Sequence, residues 1–346
     1  MIRTSLLLFL AASLPQSCFA AVTFDWAYVG NAGNASDPVS RIGAVPYDYA
    51  ISKYEVTNSQ YVEFLNAVAA SDPHELYSTL MRTTSRGGIV RQGVSGAYTY
   101  AVKPPARRDV EGIDYDYSSK PVSYVTFFDA MRFVNWLHNG QGNGNTESGV
   151  YSISDGLSET RSADARFWIP SNREWYKAAY HDPSAGTAGK YFEFPTNGNT
   201  VPDNNPPSND SGNSANYNNA RRVGNFDVDD YATGHPAYPM TDVGAYVQSA
   251  SPYGTFDQGG NVWEITDTRV GYEGRGMLGG SFEYGATFLQ TSNMIILYLH
   301  APFGEVRSDL GFRVAGPAKL AVPEPTALAI AAMLAGWGIA GRCRVA

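Results

Sequence analysis

Cysteine is almost missing from this chain of 346 residues: there are two, Cys18 and Cys343, one near each end. A body without thiols has no disulfide framework, even in an oxidising compartment. Histidine is scarce as well. His74, His138, His181, His235 and His300 are scattered, with no His-x-x-x-His or His-Glu-x-x-His pair of the kind that holds a catalytic metal. No Gly-x-Ser-x-Gly elbow and no phosphate loop occur. Charged residues make up only 17% of the chain, the formal net charge is −8, and no basic stripe interrupts it, which argues against nucleic acid as a partner. Nothing repeats at a period of 20–50 residues.

Long apolar runs are confined to the two ends. Residues 1–20 read as a secretory signal, with Arg3 as the positive charge, an apolar stretch over 6–10 and Cys18-Phe19-Ala20 as the small-residue cleavage site. A lipoprotein signal centred on Cys18 is the alternative, with Pro15-Gln16-Ser17 a poor lead-in for it. At the other end, Val322-Pro323-Glu324-Pro325 precedes an uncharged run over 326–341 and then Arg342-Cys343-Arg344. As a helix those sixteen positions cover roughly 24 Å, slightly short of a bilayer core of about 30 Å. The basic residues beyond would stay cytoplasmic and leave the body of the protein outside. A buried C-terminal core helix is the other reading, and it leaves the Pro-Glu-Pro break unexplained. Residues 322–346 resemble the PEP-CTERM sorting tail of Gram-negative bacteria. That resemblance implies an exosortase as processing partner, an exopolysaccharide-producing biofilm as setting, and membrane contact only through this segment before it is removed.

Between the ends lie about 300 residues, enough for one large domain or two. Glycine, asparagine, serine and tyrosine are abundant, which suits a loop-rich extracellular domain. Three helices are marked by their caps. Thr57-x-x-Gln60 opens one through Val68, Thr126-x-x-Asp129 one ending at Asn139-Gly140, and Ser171-x-x-Glu174 a short one to about Tyr180. Strands are expected over 47–56, 167–169, 277–284 and 310–315. Of the 23 tyrosines, Tyr98, Tyr100, Tyr115, Tyr117, Tyr217 and Tyr231 sit in polar, loop-like contexts. There they either present a flat face to sugar or protein, or pack against loops of a fold short of regular structure.

The run Gly259-Gly260-Asn261-Val262-Trp263-Glu264, followed by Gly279-Gly280-Ser281-Phe282 and by Gly311-Phe312-Arg313, resembles the signature of the formylglycine-generating-enzyme (sulfatase-modifying factor) domain family. Lys53-Tyr54-Glu55-Val56-Thr57-Asn58, Pro121-Val122-Ser123-Tyr124-Val125 with Asp129-Ala130, and Arg166-Phe167-Trp168-Ile169-Pro170 leading to Glu174-Trp175 extend the likeness over about 45–315. The resemblance implies an α+β, C-type-lectin-like fold with little regular secondary structure, a single large domain over 21–318. Residues 21–46, expected as an N-terminal strand, and an insert at about 74–120, expected as a surface excursion, lie outside its motifs.

Enzymes of that family hold copper with a cysteine pair between the Gly-Gly-Ser and the Gly-Phe-Arg. By spacing from Ser281 the pair falls here on Tyr284 and Leu289, and no cysteine lies anywhere between Ser281 and Gly311. Neither residue supplies the thiolate that Cu(I) requires, so no copper is expected. The resemblance also implies calcium. One set of ligands matches Asp257, Gly260, Val262 and Glu264; a second matches Asn216, Tyr217, Asp229 and Tyr231 across a variable loop. Two carboxylates and two backbone carbonyls suit a hard cation. The alternative is that Glu264 pairs with an arginine and that Asp227, Asp229 and Asp230 form a solvated loop. Trp263 is expected in the core, Gly279 and Gly280 at a close backbone approach, and Arg313 in an ion pair or on loop carbonyls.

The chain thus reads as an exported, non-catalytic binding or matrix protein of the envelope, outer surface or extracellular matrix of a Gram-negative bacterium, with extracellular polysaccharide or an envelope protein as its partner. An enzyme of the same fold with chemistry other than cysteine and copper is the alternative.

Overall fold

Capping boxes decide where the three main helices start. A computed structural model describes residues 21–106, 114–223, 226–271, 274–291, 297–300 and 306–321. The leader, the Pro323-Glu324-Pro325 motif, the apolar tail and both cysteines lie outside the described residues. Helices α1 (Asn58–Val68), α3 (Phe127–His138) and α4 (Asn172–Tyr180) each begin at a reciprocal box, on Thr57/Gln60, Thr126/Asp129 and Ser171/Glu174. Each box satisfies two backbone donors that a helix start leaves without partners. No described helix is long and apolar enough to cross a membrane.

The remaining elements are short: β1 (Trp26–Val29), β2 (Tyr49–Ser52), α2 (Leu80–Thr83), β3 (Ile89–Gln92), β4 (Thr99–Val102), β5 (Arg221–Val223), β6 (Phe226–Val228), β7 (Trp263–Val270), β8 (Gly274–Leu278), β9 (Leu297–His300), β10 (Leu310–Gly311) and β11 (Ala315–Pro317). Two sheets carry the fold. In one, β2 lies between β1 and β11, both antiparallel to it. The other has the order β10-β7-β8-β9, with β10 parallel to β7. Phe312, Arg313 and Val314 join the sheets and are buried, so the Gly-Phe-Arg motif is the seam between them. The architecture is α+β, a single domain low in regular structure.

Aromatic side chains of α1 and α3 fill the centre. Phe133 meets Phe64 and Phe312 edge to face at 5.4 and 5.3 Å between ring centroids, and Trp136 packs on Phe64 at 5.4 Å. Such contacts add to burial where chain hydrogen bonding is sparse.

Several expectations need correction. The strand expected over 277–284 ends at Leu278, because Gly279 and Gly280 adopt φ of +100° and +77°. The strand expected over 310–315 is broken at the seam, and the one at 167–169 is a single bridge from Trp168 to Ala315. β7 was not anticipated. The insert is not a surface excursion. Its hairpin β3–β4 clasps α1 through Asn66, whose amide both donates to and accepts from the Tyr100 backbone at 2.9 Å. Tyr77, Met81, Ile89 and Tyr100 are buried in the main core.

Candidate functional site

Two neighbouring constructions occupy the region of the motifs: a buried polar hub and a cavity. The hub begins where β7 pairs with β10, with Gly311 opposite Glu264. This places Arg313 beside Glu264, both fully buried. Arg313 Nη2 donates to Oε1 at 2.6 Å and its Nε donates to Oε2. Trp175 Nε1 donates to Oε2 at 2.7 Å. The remaining guanidinium hydrogens go to the carbonyls of Ser52, Lys53 and Phe256. Burial works against the charge on Arg313, and Glu264 outweighs it, so its pKa is raised. Arg313 therefore makes the expected ion pair and the expected carbonyl contacts at once. Trp263 is 1% exposed, as expected for a core residue.

Glu55 and Asn261 continue the hub. Asn261 Nδ2 donates to Glu55 Oε1 at 3.1 Å, and Asn261 Oδ1 accepts from Asn216 Nδ2 at 3.1 Å and from the Thr241 backbone at 3.2 Å. Glu55 Oε2 and Asn216 Oδ1 are buried with no hydrogen-bond partner. Burial, then Asp257 and Glu264, push the Glu55 carboxyl well above its ordinary range. Asp257, whose carboxylate accepts from the Gly244 backbone, is pushed up to about 6, chiefly by burial. Glu264 alone bonds the guanidinium, while Glu55 and Asp257 feel its charge through space. The bend from Asp257 into β7 depends on Gly260, with φ of +87°: a Cβ there would lie 2.1 Å from the Asn216 carbonyl oxygen.

The first set of matched calcium ligands therefore divides. Asp257, Gly260 and Val262 lie in the bend that leads into β7 and Glu264 on β7 itself, and both oxygens of Glu264 serve Arg313 and Trp175. An orphaned Glu55 oxygen beside Asp257 and a local excess of negative charge fit a hard cation. That fit runs through Asp257 and Glu55 rather than through Glu264. Among the described residues no three acidic or histidine side chains converge as a ready-made ligand cluster. The second set is divided more deeply. Asn216 faces Asn261 and the Pro239 carbonyl, and Tyr217 donates to the Pro202 carbonyl from an apolar cluster. Asp229 is exposed and accepts from Asn218 Nδ2 and the Tyr231 hydroxyl.

The cavity, about 340 Å³, is lined by Glu283, Tyr284, Arg307, Ser308 and Asp309. Gly279 and Gly280 end β8 just before the segment that carries Glu283 and Tyr284. A Cβ on Gly279 would lie 2.8 Å from the Gln258 carbonyl oxygen, which is the close approach expected there. Ser281 Oγ donates to Asp309 Oδ2 at 2.9 Å. Arg307 grips Asp309 with two bonds of 3.0 Å and donates to the Tyr284 hydroxyl at 3.2 Å. Its pKa is raised because Asp309 outweighs the effect of burial. Tyr284 packs edge to face on Trp263 and Phe288. Leu289 is fully buried with Phe194, Ala215 and Tyr217.

A profile of the sulfatase-modifying factor enzyme 1-like domain matches residues 26–318. The chain belongs to this family. Solved structures of similar fold include CarF, at 17% identity over 86% of this chain and 99% of that one, TM-score 0.47. Treponema denticola variable protein 1 is similar at 17% identity over 86% and 97%, TM-score 0.48. PvdO from Pseudomonas aeruginosa is similar at 15% identity over 83% and 90%, TM-score 0.40. No curated protein matches the chain.

Sequence reasoning missed Arg86, Glu283, Arg307 and Asp309 at the cavity and Glu55 at the hub. Arg307 and Asp309 lie inside the interval searched only for thiols. Glu55 sat inside a matched motif, two residues before a helix cap, and was given no role of its own.

Proposed function

We propose that this sulfatase-modifying-factor-like chain is an exported, non-catalytic binding or matrix protein of the cell envelope. The observation that supports the reading is what lies at the two positions that spacing matches to the oxidase cysteines. They hold a phenol bonded to Arg307 and a fully buried leucine, and a polar cavity opens beside the first. Copper held by thiolates has no ligand there. The cavity volume falls within the range of small-molecule sites. Export, exosortase processing and attachment to a polysaccharide-rich matrix rest on the two ends of the sequence.

Calcium belongs to the same proposal. Asp257 would hold it together with the carbonyls of Gly260 and Val262, with Glu55 as the second carboxylate. Its contribution is to stabilise the folded domain by linkage, since it binds the folded state alone.

The test uses the processed protein from its native envelope, with intact mass confirming loss of residues 1–20 and of the tail from about 326. Its binding is read on a glycan array with and without calcium, beside a peptide pool. Arg307→Ala and Tyr284→Ala are expected to weaken the retained ligand at least tenfold. Conversion of a cysteine-containing sulfatase peptide to formylglycine by the protein would overturn the non-catalytic reading.

A further inference from the structure

Among the described residues, the charges around the cavity are already matched. Arg307 holds Asp309 on one side. On the other, Arg86 pairs with Glu283, donates to Ser308 Oγ at 3.1 Å and to the Pro236 carbonyl at 3.0 Å, and lies 5.0 Å over the Phe282 ring. Arg86 comes from the 74–120 insert, outside the family motifs, and one side chain thereby joins three loops around the opening. Among the described residues around the opening two guanidiniums face two carboxylates, so their charges balance.

That balance selects among ligands. An anion would compete with Glu283 and Asp309 for their arginines, and a cation would compete with the arginines for the acids. Either must split a half-buried pair and leave its other member unmatched, which costs more than a rim contact returns. A hydroxyl group has no such conflict. It donates to a carboxylate lone pair that the arginine fork leaves open, and it accepts from a guanidinium or from the hydroxyls of Tyr284 and Ser308. Resting on the binding reading above, we propose that the cavity takes an uncharged polyhydroxylated ligand, a neutral saccharide unit. Arg86 is its specificity-determining residue, because it seats Glu283 and cancels its charge.

The experiment is a saturation-transfer NMR titration of the processed protein with methyl glucoside, methyl galactoside and methyl mannoside, each beside its uronic-acid counterpart. At least one neutral glycoside is expected to bind ten times more tightly than its uronide. Arg86→Ala should lose at least tenfold in that affinity. Glu283→Gln keeps the shape, removes the balancing charge and guards against an unfolded Arg86 variant; it should shift the preference at least fivefold toward the uronide. A wild-type protein that favours uronides, or a Glu283→Gln preference equal to wild type, overturns the proposal. Binding of a peptide with no glycoside bound overturns this inference and leaves the binding reading standing. A protein that binds none of the glycosides, uronides or peptides removes both.

Discussion

Glu264 and Glu55 lie in one hub and behave oppositely. Glu264 forms a fully buried pair with Arg313, so removing one partner leaves the other buried without its counterpart. Glu264→Gln is expected to cost about 3–5 kcal/mol in a denaturant titration, with or without calcium. Glu55 and Asp257 have raised pKa values, so the folded state binds more protons than the unfolded one, for Asp257 between about pH 4 and 6. Stability from these groups is therefore present at low pH and lost as pH rises through the folded pKa. Asp129 and Asp267, pushed up to about 7 and about 6 mainly by burial, act in the same direction as a calcium-independent background, opposed by His181, whose pKa burial lowers. The expected result in chelator is a domain that melts at higher temperature at pH 5 than at pH 7. Added calcium should narrow that gap by taking the place of the proton, and Glu55→Gln should remove the calcium effect. A gap that ignores calcium in wild type would reject Glu55 and Asp257 as its ligands. The roles of Trp263, Gly279 and Arg313 were legible because motif residues of those types have few other uses. The division of the calcium set was not, since it depends on which carboxylate the Arg313 fork reaches first.

Helix starts were the most legible elements, because a capping box is local chemistry: Thr126 and Asp129 specify each other within one turn. Strands were less so. β2 and β11 contribute only a few residues each, too short for an alternation to declare itself, and β7 carries Glu264 inward where a pattern would place an apolar residue. The 74–120 insert was misread because its tyrosines stand among polar neighbours, and only the fold turns Tyr77 and Tyr100 toward α1. A substitution pair separates the two readings of that hairpin. Tyr100→Ala, at 5% exposure and with its hydroxyl on the Ala69 carbonyl, should cost about 3 kcal/mol. Val94→Ala, at 72% exposure, should stay within about 0.5 kcal/mol. Equal small effects would return the insert to a mere surface loop. The same packing bears on the cavity, because Arg86 stands between α2 and β3 and is held in reach of Glu283 by them.

At the scale of the whole molecule, the α+β class and the single domain followed from motifs spread along the chain. The pairing of its two extremities did not, since nothing local in 49–52 announces which strands will flank it. Ala50 has Tyr28 on one side and Gly316 on the other, nearly the length of the domain apart in sequence. Arg313, which neutralises Glu264, arrives with the same late segment. A chain crossing a membrane from its amino terminus would deliver β1 and β2 long before β11, and the hub would wait with its acids unmatched. Such dependence on remote pairing favours slow folding. Chains released before residue 310 should accordingly remain sensitive to a dilute protease, while those reaching 321 become resistant; early resistance would refute this. In the proposed export the seam would work as a timer: the polypeptide would stay threadable throughout its passage and lock only when nearly all of it is on the far side.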